Sequence, residues 1–453
     1  MRLIPFIAIL LLHGCTGNGA NGDATGNGNG KEAVTREGKF NAFLEKEMCD
    51  IYFWADDARA KAVGVPLDTG SQEFLDALRH ADDPWSRLDG EAFEGELASV
   101  DDGSDTGFGW IVTVWTIQVG AFARVEVKIN HVYPGSPADD AGIQRGDFIT
   151  GIDGSALSDG NINALFNTRT PVTVQSRKKN GTTATVTLAP RTHAITPVAK
   201  EAVIERDGKK VGYMFYTSFV YKGEESLREL DAAFTRFKQA GVSEFILDLR
   251  YNGGGYLSAA RRVASLLAPA ANVDRQDVLI HKIWNDEYRQ QFAASAVERL
   301  DATAPAGARL GLSRLWVLTS SNTASASEIV ISGLDPYMDV YTIGDKTTGK
   351  NAGGSIFTYP DDESMGAYLI TMQYTNKDGE SVAGGISPTH GYSANAYYAD
   401  TSALGNPRET FVAIALDKIT GTRSSAAPAS ARDTVTSRDA DRRAARLILD
   451  NER

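Results

Sequence analysis

Three short apolar runs, each ending in a loop of glycine, serine or threonine, constrain the fold of this chain more than any other feature. Glu244 to Leu249 leads into Arg250-Tyr251-Asn252-Gly253-Gly254-Gly255. Leu315-Trp316-Val317-Leu318 leads into Thr319-Ser320-Ser321-Asn322-Thr323-Ala324-Ser325-Ala326-Ser327-Glu328-Ile329-Val330. Val340-Tyr341-Thr342-Ile343 ends at Gly344-Asp345-Lys346-Thr347-Thr348-Gly349-Lys350. Short apolar runs bounded by such residues read as buried strands. A further strand, Val211 to Phe215, and an amphipathic helix over 224–240 precede them. From about residue 193 the chain is therefore expected to be α/β, with its site at the carboxyl ends of a sheet.

The upstream half has a different grammar. Phe40, Phe43, Leu44, Met48 and Ile51 recur at helical spacing, which predicts a helix over 39–62, with another over 71–80. Residues 39–98 are thus expected to form a small helical domain. From about 99 to 190 the pattern turns to strands: Val125, Val127 and Ile129 alternate with Arg124, Glu126 and Lys128. Then follow Val132-Tyr133-Pro134-Gly135-Ser136-Pro137-Ala138, Ala141-Gly142-Ile143-Gln144-Arg145-Gly146-Asp147-Phe148-Ile149 and Ile152-Asp153-Gly154. This stretch resembles a PDZ domain. Gly107-Phe108-Gly109-Trp110 lies where bacterial PDZ domains place their carboxylate-binding loop. Backbone N–H groups there would hold a peptide's terminal carboxylate while the peptide adds as a strand. The bland alternative is a β-turn with an aromatic in the core.

The first residues carry Arg2 and an apolar run, Leu3 to Leu12. Ten residues suit a signal peptide and fall short of the roughly 20 that span a bilayer. The ending Leu12-His13-Gly14-Cys15 resembles the lipobox of bacterial lipoproteins, in which the cysteine carries lipid; an ordinary secretory signal is the alternative. Residues 15–30 hold six Gly and four Asn, too few apolar groups to fold, and would act as a tether reaching roughly 20–25 Å. Cys49, the other cysteine, is expected to be buried in a helix. Two cysteines exclude a disulfide framework or a cysteine zinc site. The charge sum of −12 argues against nucleic acid as a partner.

Taken singly, the loops have bland readings. Gly344 to Lys350 nearly matches a phosphate-binding loop, but Asn351 replaces the required Ser or Thr and glycines follow. Ser325-x-x-Glu328 before an apolar run is a capping box. Together with Asp-Leu-Arg-x-Asn-x-Gly-Gly upstream and a lysine 25 positions on, however, the chain resembles the C-terminal processing (tail-specific) serine peptidases, from the PDZ segment to about residue 420. The resemblance implies Ser325 as nucleophile, Lys350 as general base, and the N–H groups of Ala326 and Gly254 as oxyanion donors. The chemistry is coherent in itself. A serine hydroxyl needs an adjacent base, and a lysine serves only when desolvation brings its pKa from about 10.4 toward 7–8. One departure is Gly354, where the family commonly has a glutamine orienting the lysine. A histidine base is the rival: His80, His131 and His193 fall in or beside linkers and the PDZ segment, His281 in an expected helical insert, and His390 in a loop.

The expected architecture is multidomain α/β: signal peptide 1–14, lipidated tether 15–38, helical region 39–98, β-rich PDZ domain 99–192, α/β peptidase core 193–425 and a polar, peripheral tail 426–453. The expected activity is extracytoplasmic serine endopeptidase, without cofactor or metal, on proteins or peptides with free C-termini. The lipid anchor would hold it to a membrane. The rival from another class is a peptide-binding lipoprotein that lacks efficient catalysis.

Overall fold

The computed structural model describes residues 35–88, 103–119, 121–166, 170–422, 434–438 and 448–449. Cys15, the expected signal peptide and the glycine-rich tether as far as residue 34 lie outside them. Among the described residues no helix is long and apolar enough to cross a membrane. The described residues divide into two compact units, one comprising residues 35–88, 284–292 and 354–372, the other the remainder.

In the smaller unit, helices α1 (Arg36–Asp50), α2 (Ala55–Ala62) and α3 (Ser71–Leu78) bury Phe40, Leu44, Met48, Ala58, Phe74 and Leu75. The helix expected over 39–62 is two helices. The first starts at Arg36, capped by the Thr35 hydroxyl, and so takes in the end of the expected tether. The break between them is fixed by Phe53 N–H donating to Ile370 O and by the Asn285 amide donating to Asp50 O and Tyr52 O. The unit is not purely helical, since Arg87 and Leu88 pair with Tyr368 and Ala367. Cys49 is in no disulfide and lies buried in α1, as expected.

In the larger unit, β1 (Ser104–Gly107), β2 (Trp110–Val119), β3 (Phe122–Val132), β4 (Phe148–Ile152), β5 (Val172–Arg177), β6 (Thr183–Leu188) and β7 (Arg191–Ala194) build the PDZ domain. Strands β2 to β6 run in sequence order in one antiparallel sheet, and β1 pairs with β7. Phe108, Val127, Ile129, Ile149 and Val174 fill its core. The alternation expected on β3 fails in one respect: Lys128 and Glu126 are buried as well as Val127 and Ile129. Tyr397 and Tyr398 of the short helix α7 (Ala394–Ala399) cover that face. Lys128 lies 4.3 Å from the Tyr397 ring centre and donates to Tyr397 O. Burial, reinforced by the Arg145 guanidinium, lowers the Lys128 ammonium to about 7.

The core sheet has the order β8 (Val198–Arg206), β9 (Lys209–Tyr216), β10 (Glu244–Asp248), β12 (Arg314–Thr319), β13 (Asp339–Gly344), and β9 through β13 along this path are parallel. β11 is the two-residue strand Gly255–Tyr256. Helices α4 (Glu224–Gln239), α5 (Leu257–Leu267), α6 (Ala326–Leu334), α7 and α8 (Thr410–Thr420) complete it. The three apolar runs thus fall on neighbouring strands, and their loops meet at one end of the sheet. His281 is not on a helix but on the strand Val278–Trp284, where Leu279, Ile280, Lys282 and Trp284 are buried. The polar tail also departs from expectation. Strand β14 (Thr434–Arg438) pairs with β2, and β15 (Ile448–Leu449) pairs with β11, so it is not merely peripheral.

One chain of buried charge links the PDZ domain to the core. Arg145 donates to Asn130 O, to Ser402 O and, at 3.4 Å, to Glu409. Glu409 caps α8 and accepts from Arg250, whose guanidinium also grips Asp248; Tyr213 donates to the same aspartate. Arg250, Asp248 and Glu409 are all essentially inaccessible to water.

Candidate active site

Ser325 ends the loop after β12 and immediately precedes α6, which is apolar on nearly every side and buried. Its backbone is held at φ +61°, ψ −119°, a conformation that costs a non-glycine residue about 1–3 kcal/mol. The turn projects Ser325 at the helix N-terminus, where Ala326 is the first helical residue and its N–H has no partner within the helix. Ser325 is fully buried, and its hydroxyl has no hydrogen-bond partner. Glu328 supplies the carboxylate half of the capping box, accepting from Ser325 N–H at 2.9 Å.

Glu328 does more than cap. One carboxylate oxygen accepts from Ser325 N–H and Lys350 N–H, both at 2.9 Å. The other accepts from Thr347 Oγ1 at 2.6 Å and Gly349 N–H at 2.7 Å. Burial pushes the Glu328 carboxyl up, while these four donors pull it back. Tyr374 closes the opposite side: its hydroxyl donates to Lys350 O at 2.8 Å and lies 3.3 Å from Ser325 O. Two buried side chains therefore clamp the backbones of Ser325 and Lys350 to each other. The Lys350 side chain is itself fully buried.

The third loop closes against the same point. Gly254 has φ +112°, and a Cβ there would lie 2.8 Å from Ser325 Cβ and 3.1 Å from Ala326 N, so only glycine permits the approach. The loop is pinned by its neighbours: Thr323 Oγ1 donates to Leu249 O, Ser320 Oγ to Arg250 O, and Ser327 Oγ to Asn252 O. Gly254 N–H, expected to be an oxyanion donor, donates here to Asn252 Oδ1 at 2.9 Å.

Of the residues singled out from sequence, Ser325, Ala326, Gly254 and Lys350 come together, and Gly107 to Trp110 form a separate locus in the PDZ domain. There the Phe108 ring is in the core, while Phe108 O and Gly109 O accept from Ala138 and Tyr133 N–H. The Gly354 departure has a steric reason: a Cβ there would lie 2.3 Å from Leu369 O. The loop Gly344–Lys350 runs into the strand Ala352–Thr358 rather than a helix, unlike a phosphate-binding loop. Two of the histidines have packing partners. His131 meets Tyr133 and Phe215 edge-on, and His390 is bonded to the edge of β13 beside Trp316 and Tyr341. Glu328 reads in sequence as a cap and Asn252 as part of the Asp-Leu-Arg-x-Asn-x-Gly-Gly run, whereas Thr347 and Tyr374 carry no separate signal.

Comparison with known proteins decides the fold. Residues 210–391 match the model of peptidase family S41, and residues 128–165 that of a PDZ domain. The fold is thus a mixed α/β core of the S41 peptidase type with a PDZ domain. The chain is 27% identical over 335 residues to a carboxyl-terminal-processing protease of a Picosynechococcus species, covering 72% of this chain and 73% of that one. It is 25% identical over 371 residues to the carboxy-terminal processing protease CtpA of Bacillus subtilis, covering 79% and 70%. A crystal structure from Bacteroides fragilis described as an S41 protease superposes with a TM-score of 0.68 at 28% identity, covering 84% of this chain and 97% of that one.

Proposed function

We propose that this protein is an extracytoplasmic serine endopeptidase that cleaves protein or peptide chains near their C-termini with Ser325 as nucleophile and Lys350 as base. One observation carries the reading: a buried serine with an unpartnered hydroxyl, on a positive-φ turn at a helix N-terminus, shares its backbone clamp with a buried lysine. Desolvation disfavours an ammonium, so a buried lysine can reach the neutral form a base requires. The amine takes the hydroxyl proton as oxygen attacks the scissile carbonyl, then returns it to the leaving amine. Ala326 N–H, with the positive end of the α6 dipole, receives the oxyanion. Ser325 Oγ makes no hydrogen bond in the resting site, so the proton-transfer contact forms when substrate arrives, as is common in unliganded enzymes.

The PDZ loop Gly107-Phe108-Gly109-Trp110 would read the free carboxylate of the substrate tail. The lipobox-like Leu12-His13-Gly14-Cys15 supports a lipid anchor at Cys15. A second reading, peptide binding without efficient hydrolysis, draws on Gly254: its N–H must leave Asn252 before it can serve an oxyanion. Labelling with a fluorophosphonate separates the two. The reading requires covalent modification at Ser325 and none in Ser325→Ala; an unlabelled wild type that still binds tail peptides establishes the second.

A further inference from the structure

The polar segment after α8 contributes two strands, one on the edge of β2 and one beside the Gly254 loop. Without β14, β2 would be the free edge of the PDZ sheet. β2 is also the strand that leaves the Gly107–Trp110 loop. β14 pairs with it antiparallel, from Thr434 opposite Gln118 to Arg438 opposite Val114. It therefore runs toward the loop, the direction a peptide takes when its terminal carboxylate sits there. Further on, Ile448 and Leu449 pair in parallel with Gly255 and Tyr256, directly after Gly254, which packs on Ser325.

We propose that β14 and β15 are built-in occupants of the substrate path, excluding peptides from the PDZ edge and from the strand position beside Ser325. This rests on the peptidase reading only for what is excluded; the pairing stands on geometry. The order of the two strands favours a blocker over a substrate. In a substrate whose end sits at the PDZ loop, residues reaching Ser325 come before those on β2. In this segment they come after. A five-residue strand such as β14 is a weak ligand alone, but tethering gives it an effective concentration in the mM range. A free peptide must displace it, and peptides of about ten residues reach far enough along β2 to collide with it.

The test uses Ser325→Ala protein in three forms: the full chain, a chain ending at Thr422, and the full chain with Val435→Pro and Thr436→Pro. Of two adjacent residues in an antiparallel ladder, one directs its N–H at the partner, so the proline pair must remove a ladder bond. The probe is a fluorescent synthetic peptide of residues 430–449. It should bind the shortened chain and the proline variant at least about 10-fold more tightly than the full chain. A ten-residue peptide ending in a free carboxylate and small apolar residues should displace it. Equal affinity for all three forms, or no binding to the shortened and proline forms, overturns the proposal. Binding that the carboxylate peptide cannot displace overturns the shared path. Failure of the peptidase reading appears separately, as wild-type protein that hydrolyses no peptide and takes no fluorophosphonate while the binding results hold.

Discussion

The core site and the PDZ locus are built on opposite plans. Around Ser325 the work falls to side chains: Glu328, Thr347, Tyr374, Asn252 and Ser327 are buried polar groups fastening three loops together. On β2 it falls to the backbone edge, and a polar strand such as β14 can occupy it as readily as any peptide. Chemistry needs reacting atoms fixed to fractions of an ångström, which only packed side chains achieve. Strand recognition needs a hydrogen-bonding edge, which is tolerant of sequence. Substitutions in the core site should therefore cut rate steeply, and changes at the PDZ locus should alter affinity in small steps.

The sharpest way to break that contrast is Ser325→Ala or Lys350→Ala. Each should lower peptide hydrolysis by at least about 10³-fold, with circular dichroism and melting temperature showing an intact fold. Full activity in either would remove the dyad. Acylation should also rise with pH through the titration of the lysine, since only the free amine accepts a proton; a rate that is flat from about pH 5 to 9 counts against that base.

Glu328→Gln comes next. An amide offers one acceptor oxygen where the carboxylate uses two, and it turns N–H groups toward donors. Loss of about 10²-fold in kcat, with destabilisation of about 1–3 kcal/mol for the orphaned donors, is expected. A variant that melts lower yet keeps full kcat would make Glu328 a structural cap alone.

Lys128, at the PDZ–core junction, tests whether rigidity extends beyond the site. Its folded value of about 7 lies below the ordinary lysine value, so between about pH 7 and 10 the unfolded chain binds more protons than the folded one. Stability must then rise with pH across that window, by at most about 1.4 kcal/mol per unit from this group. Lys128→Met should lose that slope in denaturant unfolding measured from about pH 7.5 to 9.5. An unchanged slope would place the ammonium in water.

The smaller effect belongs to the PDZ loop. Amidating a tail peptide should weaken its binding to Gly107–Trp110 by about 1–3 kcal/mol, the worth of a charge-assisted contact, read as a change in Kd. Acid and amide forms of equal affinity would reduce the loop to a turn around Phe108. Smallest of all is His390→Ala, which should leave kcat nearly unchanged; a loss as deep as that of Ser325→Ala would install a histidine base.

Much of this was legible in advance, for identifiable reasons. The buried strands β10, β12 and β13 carry the apolar runs that mark a sheet interior. The loops that follow them hold Gly254, Ser325 and Lys350, residue types that a packed core does not call for and that acyl-transfer chemistry does. What escaped detection depends on groups far apart in sequence. Lys128 reads as the solvent side of a half-buried strand because the tyrosines that cover it lie about 270 positions later. β14 is Thr-Val-Thr-Ser-Arg, with one strongly apolar residue, and becomes a strand by borrowing the edge of β2. His281 reads in sequence as part of a helical insert, whereas pairing with Val297, sixteen residues on, holds it in a sheet. Glu328 looked like a local cap; its other partners lie some twenty residues downstream.

The Arg145–Glu409–Arg250–Asp248 chain bears on how such proteins can diversify. A PDZ domain joined to a catalytic core by a loose linker could be exchanged for another with a different taste in tails. Here the domain is keyed to its host, since Arg145 supplies donors to Asn130 and Ser402 carbonyls and to a carboxylate that also holds the arginine two residues before Asn252. A grafted domain without an arginine at that position would leave buried acceptors unmet beside the catalytic loops. On the proposed reading of the PDZ loop, new specificity is therefore reached more cheaply by altering β2 and its loop in place than by trading the whole domain.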